Sequence, residues 1–140
     1  MKYLLDTCVV SETRRRKPDA SLTNWLAERQ AADLFISVVT LGELRKGARA
    51  SKDIPRRRGL ETWIDEVVVS GFSGRILGFD MDEADRWGRL MGDGIAKGVT
   101  PSVTDSMIAA TALSYGMAVV TRNVSDFQFE GLQVINPFGG

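Results

Sequence analysis

The sequence contains no histidine. That absence removes Ser-His-Asp and Cys-His catalysis, together with the commonest zinc ligand. If the chain is an enzyme, carboxylates, a metal ion or lysine must carry the chemistry. Four acids stand out by position: Asp6, Glu43, Asp105 and Asp126. Carboxylates gathered at one place repel each other unless something neutralises them. An all-oxygen ligand set suits Mg²⁺ or Mn²⁺ rather than zinc. Such ions suit phosphodiester hydrolysis, where one metal activates a water for in-line attack and a second can steady the leaving oxygen.

The case for each acid differs. Asp6 ends a short apolar run from Tyr3, and sites in open α/β sheets form outside the carboxyl ends of strands. A turn-starting aspartate is an equal reading of that position. Asp105 precedes Ile108, Ala109, Ala112 and Leu113 by three, four, seven and eight positions, so it heads the inward face of a helix. A buried, unpaired carboxylate is costly, which calls for a partner or a metal. The competing explanation is a first-turn acid favoured by the helix dipole behind a Ser102 cap, in a Ser-x-x-Asp pattern. Glu43 lies between Gly42 and Gly47, small residues that would leave room beside it. Taken alone, a solvent-facing glutamate paired with Lys46 or Arg49 is the slightly stronger reading. Asp126 and Asn123 follow the fourth strand, and each alone is an ordinary loop residue. Convergence is the argument for them: two strand ends and one helix start reach the same edge of a sheet.

These acids must be positioned by alternating elements. Strands are expected at Tyr3–Asp6, Leu34–Ser37, Ile76–Phe79, Ala118–Thr121 and Gln133–Ile135. A helix capped by Asp19 or Ser21 carries Leu22, Trp25 and Leu26. Val38 to about Ala50 is helical, with Leu41, Leu44 and Ala48 on one face. Pro55 opens a longer helix with an apolar stripe of Leu60, Trp63, Ile64 and Val67. Asp80 or Asp82 starts a helix with Ala84, Trp87, Leu90 and Met91 inward. A final helix runs from about Val103 to Ser114 and stops at Gly116. The alternation argues for an α/β fold, a mostly parallel central sheet of about five strands flanked by helices. The 140 residues fit one domain, 1–140, with no repeat and no linker.

Composition narrows the setting. Hydrophobic residues make up 44% and charged residues 26%, as in a globular chain. The formal net charge is +0, so contact with nucleic acid must come from local patches rather than a basic surface. Three such patches exist: Arg14–Lys17, Arg45-Lys46 with Arg49, and Arg56–Arg58. Each suits phosphate contact, and each reads equally as a solvated face or a partner contact. Cys8 is the only cysteine, so no intramolecular disulfide can form and a reducing compartment is expected. No apolar run reads as a signal peptide or membrane span, and a cytoplasmic location is expected.

Several short blocks act together as a signature: Leu4-Leu5-Asp6-Thr7, Ser37 to Leu44, Thr104 to Ala112, Val120 to Phe127, and Val134 to Phe138. In combination the chain resembles PIN-domain ribonucleases, specifically the toxins of VapBC toxin–antitoxin pairs and FitB-like proteins. The resemblance implies a Mg²⁺- or Mn²⁺-dependent endoribonuclease that acts on RNA. It implies a homodimer and a small VapB-like antitoxin that blocks the acidic site and binds operator DNA. Asp6, Glu43 and Asp105 match the core acids, with Asp6 and Asp105 as direct metal ligands and Glu43 acting directly or through water. Thr7 follows the first acid in the match, and Thr121 matches a hydroxyl near the site.

Two positions depart from the pattern. Cys8 stands where members often carry Asn, and reads as a small buried residue rather than a nucleophile. Asn123 stands where FitB-like members can carry Asp, leaving Asn123 and Asp126 as alternatives for the fourth position. Two other phosphoryl-transfer folds fit poorly. A haloacid-dehalogenase-type site needs an Asp where Cys8 lies, and a receiver domain needs an acidic pair near the first strand. The remaining alternative is a non-enzymatic antitoxin-binding module, with the acids anchoring an arginine of the antitoxin and operon autoregulation as the whole function.

Overall fold

The computed structural model describes residues 1–139. Five parallel strands form one sheet: β1 (Tyr3–Leu5), β2 (Leu34–Ser37), β3 (Ile76–Leu77), β4 (Ala118–Val120) and β5 (Val134–Ile135). Their order is β3-β2-β1-β4-β5, which places β1 at the centre. Six helices connect them: α1 (Thr7–Arg14), α2 (Ala20–Ala27), α3 (Val38–Ala50), α4 (Ile54–Trp63), α5 (Met81–Ala96) and α6 (Val103–Tyr115).

Side chains of a strand alternate between the faces of its sheet, and the core divides accordingly. Leu5, Ile36 and Val120 enter one cluster with Val9, Leu22, Leu44 and Ile64. Their neighbours Leu4, Phe35 and Val119 enter the other, with Ile108, Ala109, Ala112 and Phe127. Both faces are covered, as a parallel sheet requires.

Most expected elements are present, and the differences have physical causes. Helix α1 was not anticipated. Its Thr7-Cys8-Val9-Val10 start is rich in weak helix formers, but Asp6 caps it and burial of Val9 and Val10 overrides propensity. The third strand ends at Leu77, before Gly78, instead of continuing to Phe79. Thr121 lies just past β4, and the fifth strand begins at Val134 rather than Gln133. Beyond Trp63 the helix widens into a π-helical stretch, Ile64–Val69. Its i→i+5 bonding shifts the stripe, so Val68 is 2% exposed and the expected Val67 is 58% exposed. On α5, Ala84 is exposed, and the inward stripe begins one residue earlier, at Glu83. The cause is a capping box in which Asp80 receives helix N–H groups while Glu83 reaches back to the Asp80 N–H.

Candidate active site

Asp6 joins β1 to α1 and is 4% exposed. Its Oδ1 caps α1 by accepting the Thr7 N–H at 2.8 Å. Its Oδ2 accepts the Thr121 hydroxyl at 2.8 Å and the Cys8 thiol at 3.4 Å. Thr121 reaches Asp6 because β4 pairs with β1 in parallel, opposite Leu5 at Val120. The Thr121 Oγ1 also accepts the Asn123 N–H at 3.0 Å, which fastens the loop after β4.

Glu43 lies on α3, three residues after Thr40 and on its face. The Thr7 hydroxyl donates to Glu43 Oε1 at 2.5 Å and lies 3.1 Å from the Thr40 hydroxyl. Glu43 is therefore held against α1 and is not the partner of Lys46 or Arg49. An added Cβ at Gly42 or Gly47 would meet nothing within 4 Å, so the space beside Glu43 is open whichever small residue stands there.

Asp105 begins α6, where its N–H donates to the Ser102 cap at 3.4 Å. Both sequence readings of Asp105 apply at once: it is a first-turn acid behind a serine cap, and it heads the face carrying the buried Ile108, Ala109 and Ala112. Burial pushes its carboxyl up to about 6, aided by the charges of Asp6, Asp126 and Glu43. Asp6 is also raised, chiefly by burial, while Thr121, Cys8 and the Thr7 N–H pull it back and Glu43 pushes it further up. Burial likewise raises the Cys8 thiol, which argues against a thiolate nucleophile. Asp126 is exposed in a single turn, Val124–Phe127, pinned beneath by the buried Phe127. The four acids thus come together at the carboxyl edge of the sheet, from β1, α3, α6 and the loop after β4.

Among the described residues, no three acidic or cysteine side chains stand close enough to form a ready-made metal cage. The donor set nonetheless fits a hard cation. Its oxygens repel one another, and Mg²⁺ is commonly held by one or two carboxylates with the remaining positions filled by water.

One polar neighbour, Thr40, is not among the residues the sequence points to. Thr40 could have been found from its i,i+3 spacing to Glu43. Cys8 is the small residue expected there; its contact with Asp6 is local, while its contact with Thr121, at 3.5 Å, depends on the pairing of β1 with β4. The expected substrate contacts are partly engaged elsewhere. Arg45 pairs with Asp65 and Arg49 with Glu61, tying α3 to the following helix, while Lys46 is exposed.

The PIN domain family matches this chain over residues 3–128. The chain belongs to the PIN-domain family. Among its relatives is the VapC ribonuclease Y4jK of Sinorhizobium fredii, 34% identical over 96% of each chain. Toxin FitB of Neisseria gonorrhoeae is 30% identical over 96% of this chain and 97% of that one. The solved structure of FitAB bound to an IR36 DNA fragment superposes with a TM-score of 0.87 at 30% identity, covering 96% of this chain and 94% of that one. The parallel five-stranded sheet of this PIN domain thus has close solved counterparts.

Proposed function

We propose that this PIN domain is a Mg²⁺- or Mn²⁺-dependent endoribonuclease, the toxin of a type II toxin–antitoxin pair. One observation carries the reading: Asp6, Glu43, Asp105 and Asp126 gather at the carboxyl edge of the sheet, near enough that the other three charges act on Asp105, in a chain with no histidine. Asp6 and Asp105 would hold the ion directly, and Glu43 directly or through water. When bound, the ion supplies an activated water and charge stabilisation at the phosphate. The chain's own residues supply the rest. Thr121, Cys8 and the Thr7 N–H fix the orientation of Asp6, and the Thr7 hydroxyl fixes Glu43. On this reading Glu43 or Asp126 would take the proton from the attacking water. Asp126 fills the fourth acidic position, while Asn123 acts through its N–H on Thr121.

The relatives' names support a toxin acting on RNA and an assembly that meets DNA. On that basis the partners are a small VapB-like antitoxin that masks the acids, a second copy of the chain, and operator DNA reached through the antitoxin. Among the described residues, no helix is long and apolar enough to cross a membrane; a cytoplasmic site of action is part of this proposal.

Purified, antitoxin-free protein should cleave RNA only with Mg²⁺ or Mn²⁺. Asp6→Asn and Asp105→Asn should abolish cleavage while leaving the fold intact by circular dichroism. Wild-type cleavage by either variant would overturn the site. Absence of cleavage by the wild type across varied RNAs would favour the binding-module alternative.

A further inference from the structure

A groove of about 1470 Å³ begins at Thr7 and Glu43 and runs away from the acids between α1, α3 and α4. Leu44, Leu60, Trp63 and Ile64 form its apolar part. Its rim carries Arg14, Arg15, Arg16 and Lys17, at and just beyond the end of α1, and Arg56 in the first turn of α4. Arg15 is engaged by Glu12 at 3.3 Å. Among the described residues, Arg14, Arg16, Lys17 and Arg56 have no acidic partner within 4.0 Å. Arg14 reaches the opposite wall, where a Cβ at Gly59 would sit 3.4 Å from its Nη2. The groove therefore has uncompensated cations on both sides, an aromatic ring inside it, and one end at the acidic site.

We propose that this groove seats a single-stranded segment of RNA leading away from the cleaved phosphate, with Arg14, Arg16, Lys17 and Arg56 on its phosphates. The inference rests on the nuclease reading above and names where that substrate lies. A nucleic acid strand carries one negative charge per nucleotide, which suits cations spread along two walls; a peptide would need an acid opposite each. A single strand also exposes base faces to Trp63 and the apolar residues, whereas a duplex hides them.

The test is fluorescence anisotropy of a labelled oligouridine octamer with antitoxin-free protein in EDTA, so that binding is read without cleavage. Three or four phosphate contacts give a slope of log K against log salt of roughly −2 to −3, at about −0.7 per contact on a single strand. Arg14→Gln/Arg16→Gln/Arg56→Gln should flatten that slope by about 2 and weaken binding at least tenfold at low salt. All three side chains are exposed, so the fold should survive, as thermal unfolding checks. Arg89→Gln, on α5 and paired with Asp85, should leave binding unchanged. Unchanged affinity and slope in the triple variant would overturn the proposal, as would equal binding of duplex RNA of the same length. So would a triple variant that keeps the octamer but loses a protein partner, since the groove would then belong to that partner. Cleavage is measured separately with Mn²⁺. Loss of cleavage with groove-dependent binding intact counts against the nuclease reading alone, and normal cleavage with no groove dependence counts against the groove alone.

Discussion

Asp6 does two jobs with one carboxylate. One oxygen closes the first turn of α1, and the other takes the hydroxyl of Thr121 from the far side of the central strand pair. Asp105 is the more exposed to solvent and the more strongly crowded by charge, and its titration has a checkable sign. Its folded-state pKa, about 6, lies above the ordinary carboxylate value of 3.8. Below about pH 4 it is protonated whether or not the chain is folded, and its crowding costs nothing. As pH rises from 4 to 6 the unfolded chain ionises first, so stability falls; above 6 the full cost remains. Asp105→Asn should therefore raise the melting temperature at pH 8 in EDTA, and the gain should vanish near pH 3.5. A gain independent of pH would refute this account. Asp105 was also the most legible acid in the sequence, because helical spacing alone places it above Ile108 and Ala112. Glu43 was the least legible, since its partner Thr7 lies on a helix that the local sequence disfavours and only burial of Val9 and Val10 explains.

At the scale of elements, the alternation of strands and helices was readable because each strand carries apolar residues on both faces. Leu4 and Leu5 enter opposite clusters, as do Phe35 and Ile36. What periodicity could not reveal was the widened stretch Ile64–Val69, since a regular 3.6-residue repeat points to Val67 as the buried valine. The two valines give a direct comparison. Val68→Ala should cost about 2 kcal/mol in denaturant unfolding, as truncation in a packed core does. Val67→Ala should fall within about 0.5 kcal/mol of wild type, as exposed positions do. Equal costs would mean the wide turn is not how this segment packs. The same stretch carries Asp65, which holds Arg45, so the segment also braces α3 beneath Glu43.

For the whole molecule, a net charge of +0 conceals a separation of signs. The acids gather at the carboxyl edge of the sheet, and the free cations line the adjoining groove. A cation bound among the acids should stabilise the entire fold by mass action. At a concentration near 100 times its dissociation constant, Mn²⁺ would contribute about 2.7 kcal/mol. For a domain of this size that corresponds to a rise of roughly 5–10 °C in melting temperature. Asp6→Asn and Asp105→Asn should each lose most of that rise, and a Mn²⁺ shift retained in both would place the ion elsewhere. The sheet order that separates these charges was not legible in the sequence, because nothing in any one strand states its neighbour.

That order has a consequence for synthesis. The central strand β1 leaves the ribosome well before one of its neighbours, β4, which lies more than a hundred residues later. Such long-range parallel pairing is slow to form and cannot begin until the later segment exists. Asp6 must therefore wait for Thr121, and Asp105 arrives only shortly before it. Until the segment carrying Asp105 and Thr121 is made, a nascent chain holds Asp6 and Glu43 without their companions. The carboxylate site is thus assembled only after β4 has been made, well after its first acid has emerged.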